Sequence, residues 1–208
     1  AYLPTNIMSI TDGQWILDGQ IFRDTMRPAV STALSVTRVG GVGQNKRQKS
    51  LADKLNLTLA GYRSAEEYAH FGTELSPQAQ ADYDKGKVLF KLMNQAIGEI
   101  YSFVEQQFLM TIVLDSAPEE IININLLKQK VHDYAPRLQE DKDTNGNFDE
   151  LCAALKAEVT TIDEVKRATI EKQAKIEAEK KRQAEEAAKA AETENASTEP
   201  VEDKKWEG

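Results

Sequence analysis

Residues 51–62 have the sequence LADKLNLTLAGY, in which large side chains recur every three or four positions. That spacing places Leu51, Leu55, Leu59 and Tyr62 on one face of an α-helix. The same spacing returns further along the chain, at Leu89, Leu92 and Met93 and at Phe103, Gln107, Met110 and Val113. We therefore expect a bundle of five to seven helices over residues 45–165, with helix starts and links at Ser76-Pro77, Ala117 to Glu120 and Asn145-Gly146-Asn147.

Residues 1–44 follow another pattern, in which short runs of β-branched and apolar residues alternate with turn formers. The runs are Ile7 to Ile10, Trp15 to Leu17 and Ala33 to Thr37, and the turns include Asp12-Gly13 and the glycines at 40, 41 and 43. This pattern favours strands and loops of an α/β domain. Because so short a segment cannot bury both faces of a sheet, we expect most of that domain to precede Ala1.

Residues 166–194 consist almost entirely of Ala, Glu, Lys, Gln and Arg, with Glu and Lys four apart at 171/175, 177/181 and 185/189. Such pairs support a solvated, fraying helix. A coiled coil is the alternative, although Ile170 and Ile176 alone make a poor seam. The composition of residues 193–208 is typical of a disordered tail. The expected fold is thus mainly α with some β.

The formal net charge of −8 argues against binding nucleic acid or an anionic membrane surface, and favours a protein partner. No run of about 18 apolar residues is present, so we expect no direct insertion into a membrane. The single cysteine, Cys152, is expected to be a buried thiol. His70 and His132 lack companions at ligand spacing and are expected to be structural or surface residues.

Two motifs resemble ligand sites but lack essential residues. The glycine run at 41–47 has no glycine before its lysine and no Ser or Thr after it, so it is not a phosphate-binding loop. Residues 141–149 match the start of a calcium-binding loop, but the twelfth position is Cys152 and not the bidentate Glu. We predict a polar helix link there, and no metal site.

Residues 35–41, SVTRVGG, place Arg38 between a predicted strand and a flexible glycine turn. From such a position a guanidinium can extend beyond its own domain. Its planar fork of donors, charged at any physiological pH, suits the oxygens of a transferring phosphoryl group. The alternative is an arginine that pairs with a surface carboxylate at a domain edge.

Four motifs follow in a fixed order and spacing: PTN at 4–6, SITDGQ at 9–14, RPA at 27–29 and SVTRVGG at 35–41. Together they resemble the alpha subunits of F-type ATP synthases. Residues 59–63 and 68–75 are similar to the start of the helical domain that ends those subunits, and the likeness stops near Val165. The resemblance implies the C-terminal edge of a RecA-like α/β nucleotide-binding domain at 1–44, an all-α helical bundle domain at 45–165 and a charged helical or disordered extension at 166–208.

The resemblance also implies catalytic residues. Arg38 falls at the family's arginine finger, which reaches the γ-phosphate of ATP bound mainly by the adjacent beta subunit. Ser9 falls at a serine on the alpha side of that interface, where its hydroxyl supports the same phosphate network. A strand or turn serine without such a role is the alternative.

A non-catalytic nucleotide site is implied as well, at Phe22, Arg27, Pro28 and Gln95, for ATP or ADP with Mg²⁺ whose ligands lie outside this chain. A turn that Pro28 rigidifies is the alternative for Arg27-Pro28. Ile97 stands where the family usually has a second glutamine, which puts adenine selectivity or affinity in doubt.

The implied function is that of an alpha subunit of the rotary, proton-translocating ATP synthase, with the chain alone not catalytic. The implied partners are the beta subunit, the central stalk gamma subunit and the peripheral stalk or delta subunit, in a peripheral complex on the cytoplasmic face of a bacterial plasma membrane or its organellar counterpart. Two alternatives stay open: a diverged secondary F-type-like ATPase subunit, and a stand-alone helical interaction module.

Overall fold

The computed structural model describes residues 2–70, 75–139, 146–172, 174–176, 178–180 and 182. The chain forms two compact units, Ala1–Ile162 and Asp163–Gly208. The helices of the first unit are α1 (Tyr2–Ile10), α2 (Gly19–Arg23), α3 (Lys46–His70), α4 (Pro77–Met93), α5 (Phe103–Leu114), α6 (Ile124–Tyr134) with a 3₁₀ turn at Ala135–Arg137, and α7 (Phe148–Val159). Its strands are β1 (Gly13–Gln14), β2 (Val36–Thr37), β3 (Glu120–Ile122) and β4 (Thr160–Ile162). The prediction of a mainly helical chain with a few strands is confirmed.

The core lies among α4, α5, α6 and α7, with α5 at its centre. Phe108 and Val113 of α5 are fully buried, and the Phe108 ring lies 4.5 Å from that of Phe148 on α7, centroid to centroid. Leu89 of α4 and Leu127 of α6 complete the same cluster. Ser76 begins α4 by accepting a hydrogen bond from the Ala79 N–H, with Pro77 in the first turn. This helix start is confirmed, and so is the predicted apolar spacing at Leu89 and Leu92; on α5 the prediction was wrong for Phe103, which is 76% exposed.

Arg47 on α3 contacts both α5 and α7. Its Nε donates to the Oε1 of buried Gln107 at 2.7 Å, and its guanidinium carbon lies 4.0 Å from the ring centroid of Phe148. An amide buried without such a bond would cost free energy, so this arginine is part of the packing.

Residues 7–10, expected as a strand, belong instead to the helix α1. A strand needs a neighbour for its backbone groups, whereas a helix satisfies its own, and this local advantage outweighs the weak preference of β-branched residues. Pro4 fits because it stands in the first turn. Strand pairing in this region is short: β1 and β2 are antiparallel, with Gly13 opposite Thr37 and Gln14 opposite Val36.

The bundle domain is not purely α. The strands β3 and β4 pair antiparallel, from Glu120 opposite Ile162 to Ile122 opposite Thr160. Each is three residues long and they lie far apart in sequence, so no local periodicity could reveal them. The pair joins the start of α6 to the end of α7, and the Lys156 ammonium lies 2.7 Å from Glu120 Oε2 beside it.

Cys152 on α7 is buried, as predicted, and burial raises the pKa of its thiol to about 12. The reactive thiolate is therefore scarce at pH 8. We expect iodoacetamide to modify Cys152 on the order of a hundredfold more slowly in the native protein than in urea, as followed by mass spectrometry. Alkylation of the native protein within a few-fold of the unfolded rate would contradict this environment.

In the second unit, the described residues from Glu164 to Arg182 are helical. Asp163 caps this helix by accepting from the N–H groups of Val165 and Lys166. An exposed pair joins Arg167 Nε to Glu171 Oε1 at 3.2 Å. The predicted tail at 193–208, the charge pairs at 177/181 and 185/189 and the first five residues of the calcium-loop motif lie outside the described residues. Among the described helices, none is both long and apolar enough to cross a bilayer.

Candidate functional site

Ser9 and Arg38 lie side by side at the end of the β1–β2 ladder. The Arg38 N–H donates to the Asp12 carbonyl at 2.9 Å, which fixes the main chain just after β2. Its guanidinium Nη1 donates to the Ser9 carbonyl at 3.4 Å. The Ser9 hydroxyl, near the C-terminal end of α1, donates to the Asn6 carbonyl at 2.7 Å. The structure therefore brings the two predicted catalytic residues together, with Ser9 on a helix and not on a strand or turn.

A shallow depression of about 250 Å³ separates α1 from the β1–β2 ladder, with Thr5 and Gln14 lining it beside Ser9 and Arg38. Gly13 allows β1 and β2 to lie close together, because a Cβ at residue 13 would lie only 2.6 Å from the Val36 carbonyl oxygen. Arg38 is exposed and forms no ion pair with any described carboxylate. The guanidinium is therefore exposed beside this depression, with Nη1 bound to the Ser9 carbonyl.

Arg27 stacks on Phe22 in a second cluster. The guanidinium carbon lies 3.8 Å from the centroid of the Phe22 ring, and Nη1 donates to the carbonyls of Phe22 at 2.9 Å and Met26 at 3.1 Å. The ring remains 56% exposed. A cation held against one part of an exposed aromatic ring leaves the rest available for stacking with a planar ligand.

The main chain of Arg27 is bound to the loop that follows α4. Its N–H donates to Asn94 Oδ1 at 2.9 Å, and its carbonyl accepts from the Gln95 N–H at 2.8 Å. The peptide bond to Pro28 is cis. All four residues predicted for nucleotide binding, Phe22, Arg27, Pro28 and Gln95, therefore lie in one place although Gln95 is distant in sequence. Ile97, two residues on, is fully exposed.

These residues fit part of a nucleotide. An exposed ring can stack on a base, and the half-buried Gln95 carries an amide that can pair with the polar edge of a base. The described residues contain no group of three or more His, Cys, Asp or Glu side chains able to hold a metal ion.

Three further residues belong to this cluster, and no motif in the sequence indicated them: Asn94, Glu99 and Lys128. Lys128 Nζ on α6 donates to the Asn94 carbonyl at 2.6 Å and lies 3.0 Å from Glu99 Oε1. Asn94 stands at the C-terminal end of α4, where a polar cap is common and carries no functional signal. Lys128 lies 34 residues away in sequence, and no motif links the two.

The chain belongs to the family of ATP synthase alpha and beta chains, since the family model for their C-terminal domain matches residues 44–197. Two of its relatives within that family are alpha subunits. It is 44% identical over 106 residues to ATP synthase subunit alpha of Anaplasma marginale (strain Florida), which covers 51% of this chain and 21% of that protein. It is 39% identical over 138 residues to the same subunit of Wolbachia pipientis wMel, covering 64% of this chain and 27% of that protein.

The match to an alpha-type subunit confirms the resemblance read from the motifs, and the family match reaches past Val165 to residue 197. The chain spans about a fifth to a quarter of the length of these relatives. Among solved structures, an ATP synthase subunit NeqB from Nanoarcheaum equitans aligns with a TM-score of 0.52 at 22% identity, covering 54% of this chain and 31% of that one. That likeness concerns the fold alone.

Proposed function

We propose that this chain forms the C-terminal part of the alpha subunit of a rotary, proton-translocating ATP synthase, and that Arg38 acts in the catalytic site of the adjacent beta subunit. The observation that carries the proposal is the position of Arg38, whose exposed guanidinium is unpaired by any described carboxylate and lies beside Ser9 at the rim of a depression. Its exposed guanidinium keeps donors available for an anionic group of a neighbouring subunit.

The chemistry of Arg38 in this proposal is electrostatic. Phosphoryl transfer spreads negative charge over the oxygens of the transferred group, and a guanidinium in contact with them stabilises that charge. The Asp12 carbonyl, which binds the Arg38 N–H, and the Ser9 carbonyl, which binds its side chain, limit where the guanidinium can go. Bound by residues outside this chain, Mg²⁺ would supply further neutralisation of the phosphate charge.

The second cluster binds a non-catalytic ATP or ADP in this proposal. Phe22 offers the stacking surface, Arg27 is held over it, Pro28 shapes the turn and Gln95 offers an amide to the base. A second amide at position 97 could form hydrogen bonds with adenine, but Ile97 is apolar. Discrimination between bases should therefore be weak.

In this proposal, residues 1–44 form the edge of a RecA-like domain that packs against further protein. Tyr2, Ile10, Trp15, Leu17 and Val42 are between 72% and 85% exposed. So many exposed large apolar side chains in one short segment are typical of an interface and disfavour a stand-alone interaction module. The proposed partners are the beta subunit, the gamma subunit of the central stalk and the delta subunit or peripheral stalk, in a complex attached to a membrane.

Coexpression with a beta subunit and a gamma subunit tests this assembly. We expect the full-length subunit to copurify in a ring with equal numbers of alpha and beta chains, measured by native mass spectrometry. Trp15→Asp, in the exposed apolar segment, should lower recovery of the ring, whereas Ile176→Asp, an exposed apolar residue of the second unit, should leave it unchanged. Recovery of beta and gamma without this subunit would refute the proposal.

A further inference from the structure

The loop that joins α4 to α5, residues 94–102, is held by a charge pair outside the proposed nucleotide contacts. Lys128 Nζ lies 3.0 Å from Glu99 Oε1 and donates to the Asn94 carbonyl at 2.6 Å. The two side chains are only 13% and 23% exposed. Such a pair is screened far less by solvent than a surface ion pair.

The carboxylate of Glu99 also accepts hydrogen bonds from two other residues of the loop. Its Oε2 accepts from the Ala96 N–H at 2.7 Å, and its Oε1 accepts from the Tyr101 hydroxyl. Burial opposes its charge, but these hydrogen bonds and Lys128 outweigh that effect and lower the pKa of Glu99 to about 2. The carboxylate is therefore ionised at physiological pH and remains a partner for Lys128.

Tyr101 anchors this arrangement in the bundle. It is 8% exposed, and its ring stacks on His132 of α6 with centroids 5.5 Å apart. Gly98 lies between Asn94 and Tyr101, the two ends that α6 holds. It adopts φ +83°, and a Cβ added there would have no atom within 4 Å. Without Glu99 and Lys128, a loop with such a glycine would sample many conformations.

The loop and the proposed nucleotide site share the residues at 94 and 95. Lys128 binds the carbonyl of Asn94, the side chain of Asn94 accepts from the Arg27 N–H, and the next residue, Gln95, donates to the Arg27 carbonyl. A displacement of this main chain would thus move Arg27 and Gln95 relative to each other.

We propose that Lys128 and Glu99 are positioning residues of the nucleotide site, which hold Gln95 and Arg27 in the arrangement that binds the base. This inference rests on the proposed nucleotide-binding function of the second cluster. It assigns part of the affinity for the base to two side chains outside the set proposed to contact the nucleotide. Pre-organisation of this kind improves affinity by lowering the cost of ordering a loop on binding.

The test uses the assembled complex with Phe22→Trp as a local fluorescent reporter. ATP affinity is measured by titration, and the inhibition constant of inorganic tripolyphosphate is measured by competition with ATP. Lys128→Met should weaken ATP binding about tenfold, as expected for the loss of one charge-assisted hydrogen bond, and leave the inhibition constant of tripolyphosphate unchanged because that ligand has no base. Lys128→Arg should restore most of the ATP affinity.

Lys130→Met is the matched control, because Lys130 lies on the same helix and pairs with Glu158 instead. It should leave both affinities unchanged. Glu99→Gln, which is nearly identical in shape, is the second test variant if the complex with Lys128→Met does not assemble. It should also weaken ATP binding several-fold.

The outcomes separate the two proposals. A parent complex whose reporter does not respond to ATP refutes the nucleotide site itself and this inference with it. A responsive parent with ATP affinities unchanged in Lys128→Met or Glu99→Gln refutes the inference alone. An equal loss of ATP and tripolyphosphate binding would mean general damage to the fold and would also overturn it.

Discussion

Arg38→Ala is expected to lower the rate of ATP hydrolysis by the assembled complex by roughly three to five orders of magnitude, the usual effect of removing an arginine finger. The reason is that charge developing on the phosphoryl oxygens loses its guanidinium partner, while the main-chain contact of residue 38 with Asp12 persists. Arg38→Lys should recover only a small part of the rate, since an ammonium cannot present two parallel donors. Steady-state hydrolysis measured on purified complexes tests this directly.

Arg23→Ala provides the control for Arg38. Arg23 is an exposed arginine of the same segment whose side chain donates to Gln20 Oε1 at 2.7 Å. It has no proposed catalytic role, so its removal should leave the hydrolysis rate within about twofold. Equal subunit stoichiometry in the parent and the three variants excludes an assembly defect. A rate for Arg38→Ala within a few-fold of the parent would remove Arg38 from the catalytic site.

Gly86→Ala is expected to destabilise the subunit by about 2–3 kcal/mol, even though alanine gains about 1 kcal/mol over glycine inside a helix. Gly86 lies where α4 crosses α3, and an added Cβ would lie 2.6 Å from the Tyr62 Cβ and overlap its ring. Tyr62 cannot move aside easily, because its ring stacks on Tyr83 and packs against Phe90. Urea unfolding of the full-length subunit, followed by circular dichroism, measures the loss.

Gly61→Ala is the matched control, since Gly61 lies on α3 at the same crossing. A Cβ there would meet the Asp82 carboxylate at 3.3 Å, and that side chain can give way. The substitution should be neutral or slightly stabilising. A Gly86→Ala variant within about 0.5 kcal/mol of the parent would show that α3 and α4 do not pack as closely as described.

Apolar spacing was enough to predict α3, α4 and α5 because it is a local property. Leu89 and Leu92 are buried on α4, and Phe108, four residues before Ile112 on α5, occupies the core. The start of α4 was equally local, since Ser76-Pro77 caps and begins the helix within one turn.

Contacts between distant residues could not be predicted in this way. The β3–β4 pair and the link from Lys128 to Asn94 depend on how helices pack, and nothing in a local window encodes them. At α1, β-branched residues suggested a strand, but the choice between helix and strand there depends on whether a neighbouring strand is available.

The candidate site was predictable only because motifs in a fixed order placed Ser9, Arg27, Arg38 and Gln95 in a known family. Spacing alone favoured a surface ion pair for Arg38. The structure adds that these residues form two clusters, with Ser9 against Arg38 and with Gln95 against Arg27.

The central claim, that Arg38 acts in a neighbouring subunit's site, is tested most directly by an electron cryomicroscopy structure of the assembled complex with a non-hydrolysable ATP analogue. We expect the Arg38 guanidinium to lie within about 3 Å of a terminal phosphate oxygen of the analogue, which the adjacent beta subunit holds. A guanidinium that faces solvent, or pairs with a carboxylate of its own chain while the beta site is occupied, would contradict it.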